Sequence, residues 1–296
     1  MIEVFYSPEY AGSAYALETT RKPRWIAESL ADSPLTGLRL LAPAPLGVDD
    51  LTRVHDTRYV HAVRDGVPRA LAESQGFTWD EGLWRMVLSS NGGVAAAARS
   101  AMAHGVAGSL SSGLHHARRD QGAAFCTFNG LVLAALTALD DGAGAVLVLD
   151  LDAHCGGGTA SLLADQPRIH QFDVSVSSVD RYQPGPRTRL EIVTRAESYL
   201  PAVERTLRDV ESHGQSFDLC LYNAGMDPFE GCDTGGLAGI TREMLATRER
   251  LVFEWCCARR LPVAFVLAGG YLGPGLDRAG LVDLHRLTLA GALSIA

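Results

Sequence analysis

The sequence contains almost no lysine and has no excess of positive charge. Lys22 is the only lysine, and 34 Asp and Glu residues outnumber 26 Lys and Arg residues, which gives a formal net charge of −8. A protein that binds nucleic acid without regard to sequence needs a basic surface that displaces counterions from the phosphates. We therefore expect no nucleic-acid partner, whereas a cationic small molecule is compatible with this charge.

Two further absences concern the cysteines and the apolar segments. The six cysteines form no CxxC pair and show no spacing typical of a disulfide framework. Apolar runs such as residues 143–149 and 262–268 are much shorter than the roughly 20 residues that a membrane span requires. The N-terminus also lacks the pattern of a signal peptide. These features predict a cytoplasmic protein with reduced cysteines and no membrane attachment.

The sequence does contain an alternation of short apolar runs with longer amphipathic segments. Residues 145–149 and 263–268 are apolar throughout, which is typical of parallel strands that helices cover on both faces. We predict one domain over residues 1–296, with an α/β fold and a doubly wound, mostly parallel sheet. A long helix is expected over residues 80–103, with an interruption at Gly92-Gly93. In such a fold the active site lies at the carboxyl ends of the strands.

Chemically reactive side chains follow four of the predicted strands. They are His115-His116 after residues 106–110, Asp150, Asp152 and His154 after residues 145–149, Asp227 after residues 217–224, and Tyr271 after residues 263–268. Because these strand ends share one edge of the sheet, we expect the side chains to meet there. Asp152, His154 and Asp227 would form a mixed oxygen and nitrogen ligand set, which suits Zn²⁺ with one position open for water. Fe²⁺, Co²⁺ and Mn²⁺ are compatible with the same ligands.

The remaining residues of this edge suggest acid–base chemistry. His115 and His116 are candidates for a general base that activates water and a general acid for the leaving group. Asp150 is suited to accept a hydrogen bond from an imidazole and so to fix its tautomer. Tyr271 follows Gly269-Gly270, whose backbone freedom lets a phenol approach the site and donate to a developing oxyanion.

The same segments resemble the active-site motifs of the histone deacetylase and acetylpolyamine amidohydrolase family. The motifs are residues 113–119 (GLHHARR), 124–129 (AFCTFN), 150–156 (DLDAHCG), 225–227 (GMD) and 269–271 (GGY), with a weaker similarity over residues 54–60. The resemblance implies the arginase/deacetylase fold. It also implies zinc-dependent hydrolysis of an N-acyl amide, usually acetyl-lysine or an acetylated polyamine.

Through these motifs the resemblance implies a role for each residue. The catalytic residues would be His116 as general base and acid, His115 with its carboxylate partner Asp150, and Tyr271 at the scissile carbonyl. The zinc ligands would be Asp152, His154 and Asp227. The substrate tunnel would be lined by Phe125, Gly270 and Tyr182. A structural K⁺ is also expected beside the metal loop, near Asp150, Asp152, His154, Asp173 and Val174.

The chain departs from the family pattern at three places. One is the Pro184-Gly185 segment, which follows Tyr182 and Gln183 where relatives tend to have aromatic residues, so a more polar second tunnel wall is expected. Relatives commonly have His-Gly-Asp-Gly or His-Gly-Asn-Gly after the metal-binding histidine, but this chain has Cys155-Gly156-Gly157-Gly158. Gly157 therefore replaces the side chain that is expected to orient His116. The cysteine should point away from the metal. Near the N-terminus, residues 20–24 (TRKPR) stand where relatives have a His-Pro-Glu-Arg-like stretch.

Two other interpretations of the sequence are open. The first is a metal-loaded scaffold that binds acyl-lysine with weak or no catalysis, because Gly157 offers no partner to the base. The second is a binuclear manganese ureohydrolase on a related fold. That chemistry needs additional carboxylates near the two metal-binding loops, and residues 155–156 (CG) and 226–228 (MDP) do not supply them.

Overall fold

The computed structural model describes the backbone of residues 1–296 and every side chain except those of residues 18 and 19. One parallel sheet of eight strands lies at its centre. The strands are β1 (Ile2–Phe5), β2 (Leu38–Leu41), β3 (Val106–Ser109), β4 (Val146–Asp150), β5 (Ile169–Ser175), β6 (Thr188–Ile192), β7 (Leu219–Gly225) and β8 (Val263–Ala268). Their order across the sheet is β2-β1-β3-β8-β7-β4-β5-β6.

Helices connect the strands and cover both faces of the sheet. They are α1 (Lys22–Asp32), α2 (Val48–Thr52), α3 (Thr57–Asp65), α4 (Arg69–Ala72), α5 (Glu81–His104), α6 (Gly130–Asp140), α7 (Gly157–Leu162), α8 (Tyr199–Ser212), α9 (Arg242–Ala258) and α10 (Arg278–Leu293). Short 3₁₀ segments occupy Pro8–Ala11, Glu18–Arg21 and Ala196–Ser198. None of the helices in the described part of the chain is both long enough and apolar enough to cross a lipid bilayer.

Strand β4 shows how the sheet separates two layers of core. Val146 and Val148 pack in the cluster that includes residues of α3, α5 and α6. Leu147 and Leu149 point to the opposite face and pack with residues of α1, α8, α9 and α10. Because successive side chains of a strand alternate between faces, burial of all of them requires helices on both sides. The predicted α/β class with a doubly wound sheet is confirmed, and every strand pairing is parallel.

The structure differs from the predicted elements at the sheet edges and within α5. The two edge strands β2 and β6 and the short helix α4 were not predicted. Helix α5 continues through Gly92-Gly93 without interruption. A Cβ at Gly92 would collide with the backbone oxygen of Ala44, and a Cβ at Gly93 would lie 2.7 Å from Ser109 Oγ. The two glycines therefore allow neighbouring segments to approach the helix rather than break it.

Candidate active site

Four adjacent strands of the sheet deliver the predicted site residues to one edge. In the order β3-β8-β7-β4, their ends lead to His115-His116, Tyr271, Asp227 and the segment from Asp150 to His154. Asp150 is the last residue of β4. Every one of these side chains except the half-buried Tyr271 is buried. The parallel arrangement thus brings together residues that are more than 100 positions apart in the sequence.

Asp152, His154 and Asp227 form a compact cluster of possible metal ligands. Each residue offers one ligand atom, and the three atoms lie within 4.8 Å of one another. His154 Nδ1 lies 3.2 Å from Asp152 Oδ1 and 3.1 Å from Asp227 Oδ2. Among the described residues, none donates a well-aligned hydrogen bond to Asp227 Oδ2. A divalent cation fits this donor set, because two carboxylates and one imidazole match the ligand types of a catalytic zinc site.

Burial and mutual proximity shift the proton affinities within this triad. Burial lowers the pKa of His154, but its contacts with the Asp152 and Asp227 carboxylates outweigh burial and raise the pKa to about 11. Burial together with the charge of Asp152 raises the pKa of Asp227 to about 6. A proton shared within the triad therefore offsets the concentrated negative charge when no cation is bound. A metal ion would take over that part and displace the proton.

Glycines allow the chain to approach the triad closely. A Cβ at Gly225 would collide with Asp152 Cα, and a Cβ at Gly269 would collide with the carboxylate of Asp227. Gly269 and Gly270 also have positive φ values of 55° and 87°, which glycine adopts readily. This turn places Tyr271 with its ring centroid 6.4 Å from that of His154, at an interplanar angle of 86°.

His115 is held by a buried carboxylate behind it. Its Nδ1 lies 2.7 Å from Asp150 Oδ2 and donates to it. Asp150 Oδ1 in turn accepts hydrogen bonds from Asn223 Nδ2 at 2.8 Å and from the Asp152 backbone N–H at 3.2 Å. Burial lowers the pKa of His115, but the charges of Asp150 and Asp152 outweigh it and raise the pKa to about 10. The two carboxylates therefore favour the protonated form of His115.

His116 is paired with a carboxylate that the sequence analysis did not identify. Its Nδ1 lies 2.8 Å from Asp180 Oδ2, and its Nε2 lies 3.0 Å from His115 Nε2. Burial and the charge of His115 lower the pKa of His116, so the neutral imidazole is favoured. Arg118, in the segment after the two histidines, also donates to Asp180. No sequence motif marks Asp180, because it belongs to the irregular segment between β5 and β6.

Lys22 is a second residue near the site that the sequence analysis left without a role. It is only 2% exposed, and its Nζ donates to the Gly269 carbonyl at 2.5 Å. Burial lowers its pKa to about 8, although Asp227 and Asp152 act in the opposite direction. Its place in the fold gives the only lysine a structural function: it secures the turn that presents Tyr271. The one sequence feature that could have drawn attention to Lys22 is that the chain contains no other lysine.

Several of these side chains line one pocket with a cavity volume of about 80 Å³. Its walls include His115, His116, Asp152 and Tyr271, together with the predicted tunnel residue Phe125. Phe125 stacks on Phe77 with ring centroids 5.7 Å apart. The pocket is therefore lined by polar side chains and by the aromatic ring of Phe125.

The structure does not place the other two predicted tunnel residues in this pocket. Gly269 rather than Gly270 lines it. Tyr182 lines a separate groove with Arg118 and Gly157, where its hydroxyl donates to the Arg189 carbonyl at 2.7 Å.

Two residues beside the metal loop behave as local supports. Cys155 is buried, and its Sγ donates to the Ser177 carbonyl at 3.3 Å, so it lies outside the ligand triad. Asp173 accepts hydrogen bonds from the Gly156 N–H at 2.9 Å and from Gln171 Nε2. Burial and the neighbouring charge of Asp150 raise the pKa of Asp173. Val174 packs in the core.

The fold and the arrangement at the strand ends place the chain in the arginase/deacetylase class of α/β proteins. Within this class the chain belongs to the histone deacetylase family, because the family's histone deacetylase domain matches residues 16–188, more than half of the sequence. The predicted family resemblance is thereby confirmed. Members of this family are deacetylase hydrolases.

Individual relatives agree with this assignment. An uncharacterized protein of Picosynechococcus is 34% identical over 227 residues, which cover 75% of each chain. Histone deacetylase 2 of Arabidopsis thaliana is 25% identical over 291 residues, 92% of this chain and 75% of that protein. A crystal structure of acetylpolyamine aminohydrolase from Burkholderia pseudomallei matches with a TM-score of 0.81 and 18% identity, over 100% of this chain and 99% of that one. The last comparison shows a shared fold.

Proposed function

We propose that the chain is a zinc-dependent hydrolase that removes an acyl group, in the first place acetyl, from an amine. The observation that carries this proposal is that one pocket is lined by the histidine pair, by Tyr271 and by Asp152, which belongs to the cluster of possible metal ligands with His154 and Asp227. Together they offer a metal site, a base and a hydrogen-bond donor within reach of one carbonyl group. Family membership supports the same reaction class.

The residues of the pocket divide the reaction among them. Asp152, His154 and Asp227 would hold a divalent cation, whose Lewis acidity would polarise the amide carbonyl and lower the pKa of water. His116 Nε2 takes a proton from the water while the water oxygen bonds to the carbonyl carbon. The C–N bond then breaks, and His116 returns the proton to the amine nitrogen. The products are a carboxylic acid and a free amine, which ionise in water to a carboxylate and an ammonium ion.

Tyr271 and His115 stabilise charge during these steps. Tyr271 donates its phenol O–H to the carbonyl oxygen as negative charge develops there. Burial, together with the nearby charges of Asp227 and Asp152, raises the pKa of Tyr271, so the phenol keeps its proton. His115 is fixed by Asp150 and adds positive charge beside Nε2 of His116. Acting together, the two residues favour negative charge on the substrate oxygen.

The substrate class follows from the size of the pocket and the charge of the protein. The pocket has a small cavity volume of about 80 Å³. That volume suits a short acyl group such as acetyl. The net charge of −8 suits an amine that is cationic after release. Acetyl-lysine, an acetylated polyamine or a small acylated metabolite meets both conditions.

Other cations are part of the same proposal. Fe²⁺ or another divalent ion would be accepted by the triad, because the ligand types are the same. A K⁺ beside the metal loop would offset the negative charge of Asp150 and Asp173, which lie opposite each other in the pairing of β4 and β5.

Metal reconstitution followed by a substrate screen tests the proposal. The purified chain is stripped of metal, given one equivalent of Zn²⁺ or Fe²⁺, and assayed for amine release. The substrates are acetyl-lysine peptides, acetylpolyamines and small acylated metabolites. We expect metal-dependent release that is lost in His116→Ala and retained in Asp120→Ala, whose side chain is exposed.

Each alternative gives a different outcome in the same experiment. A zinc-loaded chain that binds an acetyl-lysine peptide without hydrolysing any amide would identify a scaffold and contradict the proposal. Two Mn²⁺ ions per chain with urea release would identify a ureohydrolase.

A further inference from the structure

We propose that Asp180 is the positioning residue of the base His116, and that Gly157 is a glycine because Asp180 occupies the space beside it. This inference rests on the proposed function, since it assigns His116 the part of the base. It supplies a partner for His116 that the sequence pattern of residues 155–158 lacks. The carboxylate comes from a different segment of the chain, after β5 instead of after β4.

The Asp180 carboxylate is fixed by three donors. Its Oδ2 accepts from His116 Nδ1 at 2.8 Å and from the Gly158 backbone N–H at 3.0 Å. Its Oδ1 accepts from Arg118 Nη2. The side chain is 12% exposed, so these contacts form largely out of water. A carboxylate with this many charge-assisted contacts has a defined orientation.

The space around Gly157 shows that this arrangement excludes the usual one. A Cβ at position 157 would lie 2.5 Å from Asp180 Oδ1 and 2.7 Å from Asp180 Cγ, and closer still to the Asp180 backbone oxygen. Any side chain at position 157 therefore competes with Asp180 for one volume. The glycine at position 157 and the aspartate at position 180 therefore depend on each other. The carboxylate that contacts His116 comes from the segment after β5 instead of from the loop after β4.

The segment that carries Asp180 is attached to the metal loop. The Cys155 backbone N–H donates to the Val179 carbonyl at 3.0 Å, and Cys155 Sγ donates to the Ser177 carbonyl at 3.3 Å. These two contacts hold the segment beside His154 and His116. Asp180 itself has a φ of 58°, a conformation that Asp tolerates better than most residues. The buried cysteine thereby gains a structural function.

The consequence for His116 is a defined tautomer. Because Nδ1–H donates to Asp180, Nε2 is the atom left to take and return a proton. A carboxylate at Nδ1 also stabilises the imidazolium that forms during this transfer. Asp180 does not line the substrate pocket. Its effect on the reaction is therefore exerted through His116.

The test compares Asp180→Ala and Asp180→Asn with Asp120→Ala in the zinc-loaded chain. Loss of an outer-shell partner of this kind typically costs about 10–100-fold in activity. We expect kcat of Asp180→Ala to fall by about that factor with little change in KM. Asp180→Asn should fall less, because its amide oxygen still accepts from Nδ1. Asp120→Ala should match the wild type.

A spectroscopic measurement separates this inference from the proposed function. In a ¹H NMR spectrum, the downfield resonance that disappears in His116→Ala is assigned to the Nδ1–H proton of His116. This resonance should also disappear or shift upfield in Asp180→Ala. It should persist in Asp120→Ala. If the wild type hydrolyses no amide, the proposed function fails and this resonance alone decides the positioning of His116. An unchanged resonance, or a kcat of Asp180→Ala equal to the wild-type value, overturns the role of Asp180.

Discussion

Gly157→Asp distinguishes two explanations of the loop that follows the metal triad. If the glycine at position 157 only meant that His116 lacks a carboxylate partner, the substitution by Asp would supply that partner and raise kcat. The structure predicts the opposite, because Asp180 already bonds His116 and fills the space beside Gly157. The sign of the change in kcat is therefore the result that matters.

The magnitude follows from the distances at position 157. The added Cβ would lie 2.5 Å from Asp180 Oδ1 and 2.7 Å from Asp180 Cγ, whereas non-bonded carbon contacts are favourable at about 3.5–4.0 Å. Asp180 must retreat by on the order of 1 Å, and a misplacement of that size can cost about 100-fold in rate. The same overpacking should lower the free energy of unfolding by about 1–3 kcal/mol.

The assay measures kcat, KM and urea unfolding for Gly157→Asp and Gly157→Ala. The alanine variant contains the steric change without a new carboxylate. Gly47→Ala is the matched control, because the nearest atom to its added Cβ is 3.7 Å away. We expect both variants at position 157 to lose kcat and Gly47→Ala to keep it. A kcat of Gly157→Asp equal to or above the wild-type value would refute the reasoning.

Three other predictions concern single residues. Burial lowers the pKa of His55 from 6.5 to about 4. As the pH drops, the unfolded chain therefore binds a proton at this histidine before the folded chain does. The free energy of unfolding should fall by at most about 3 kcal/mol between pH 6.5 and about pH 4. Urea unfolding at several pH values should show a shallower fall in His55→Gln. Asp227→Asn should reduce the bound zinc per chain, measured by elemental analysis after dialysis; full zinc content would contradict its place among the ligands. Tyr271→Phe should lower kcat by about 100–1,000-fold with zinc content unchanged, and an unaltered kcat would rule out its part as donor.

The central fold was predictable because its strands are apolar on both faces. Residues 145–149 and 263–268 carry the signature of buried parallel strands, and the structure has strands at Val146–Asp150 and Val263–Ala268. The edge strands β2 and β6 are short and half exposed. Because each edge strand has a neighbouring strand on one side only and stays half exposed, its sequence needs no continuous apolar run. The apolar pattern that predicts the central strands is therefore missing from β2 and β6.

The site was predictable where function is tied to a strand end. The two histidines, the aspartates and Tyr271 each follow a recognisable strand, so topology alone brings them together. Asp180 and Lys22 reach the site from irregular or distant segments through side-chain contacts. Such contacts depend on the paths of the chain between strands, which no local pattern encodes. The absence of a side chain at Gly157 indicated that a partner was missing from the motif, and only the three-dimensional packing revealed that Asp180 takes its place.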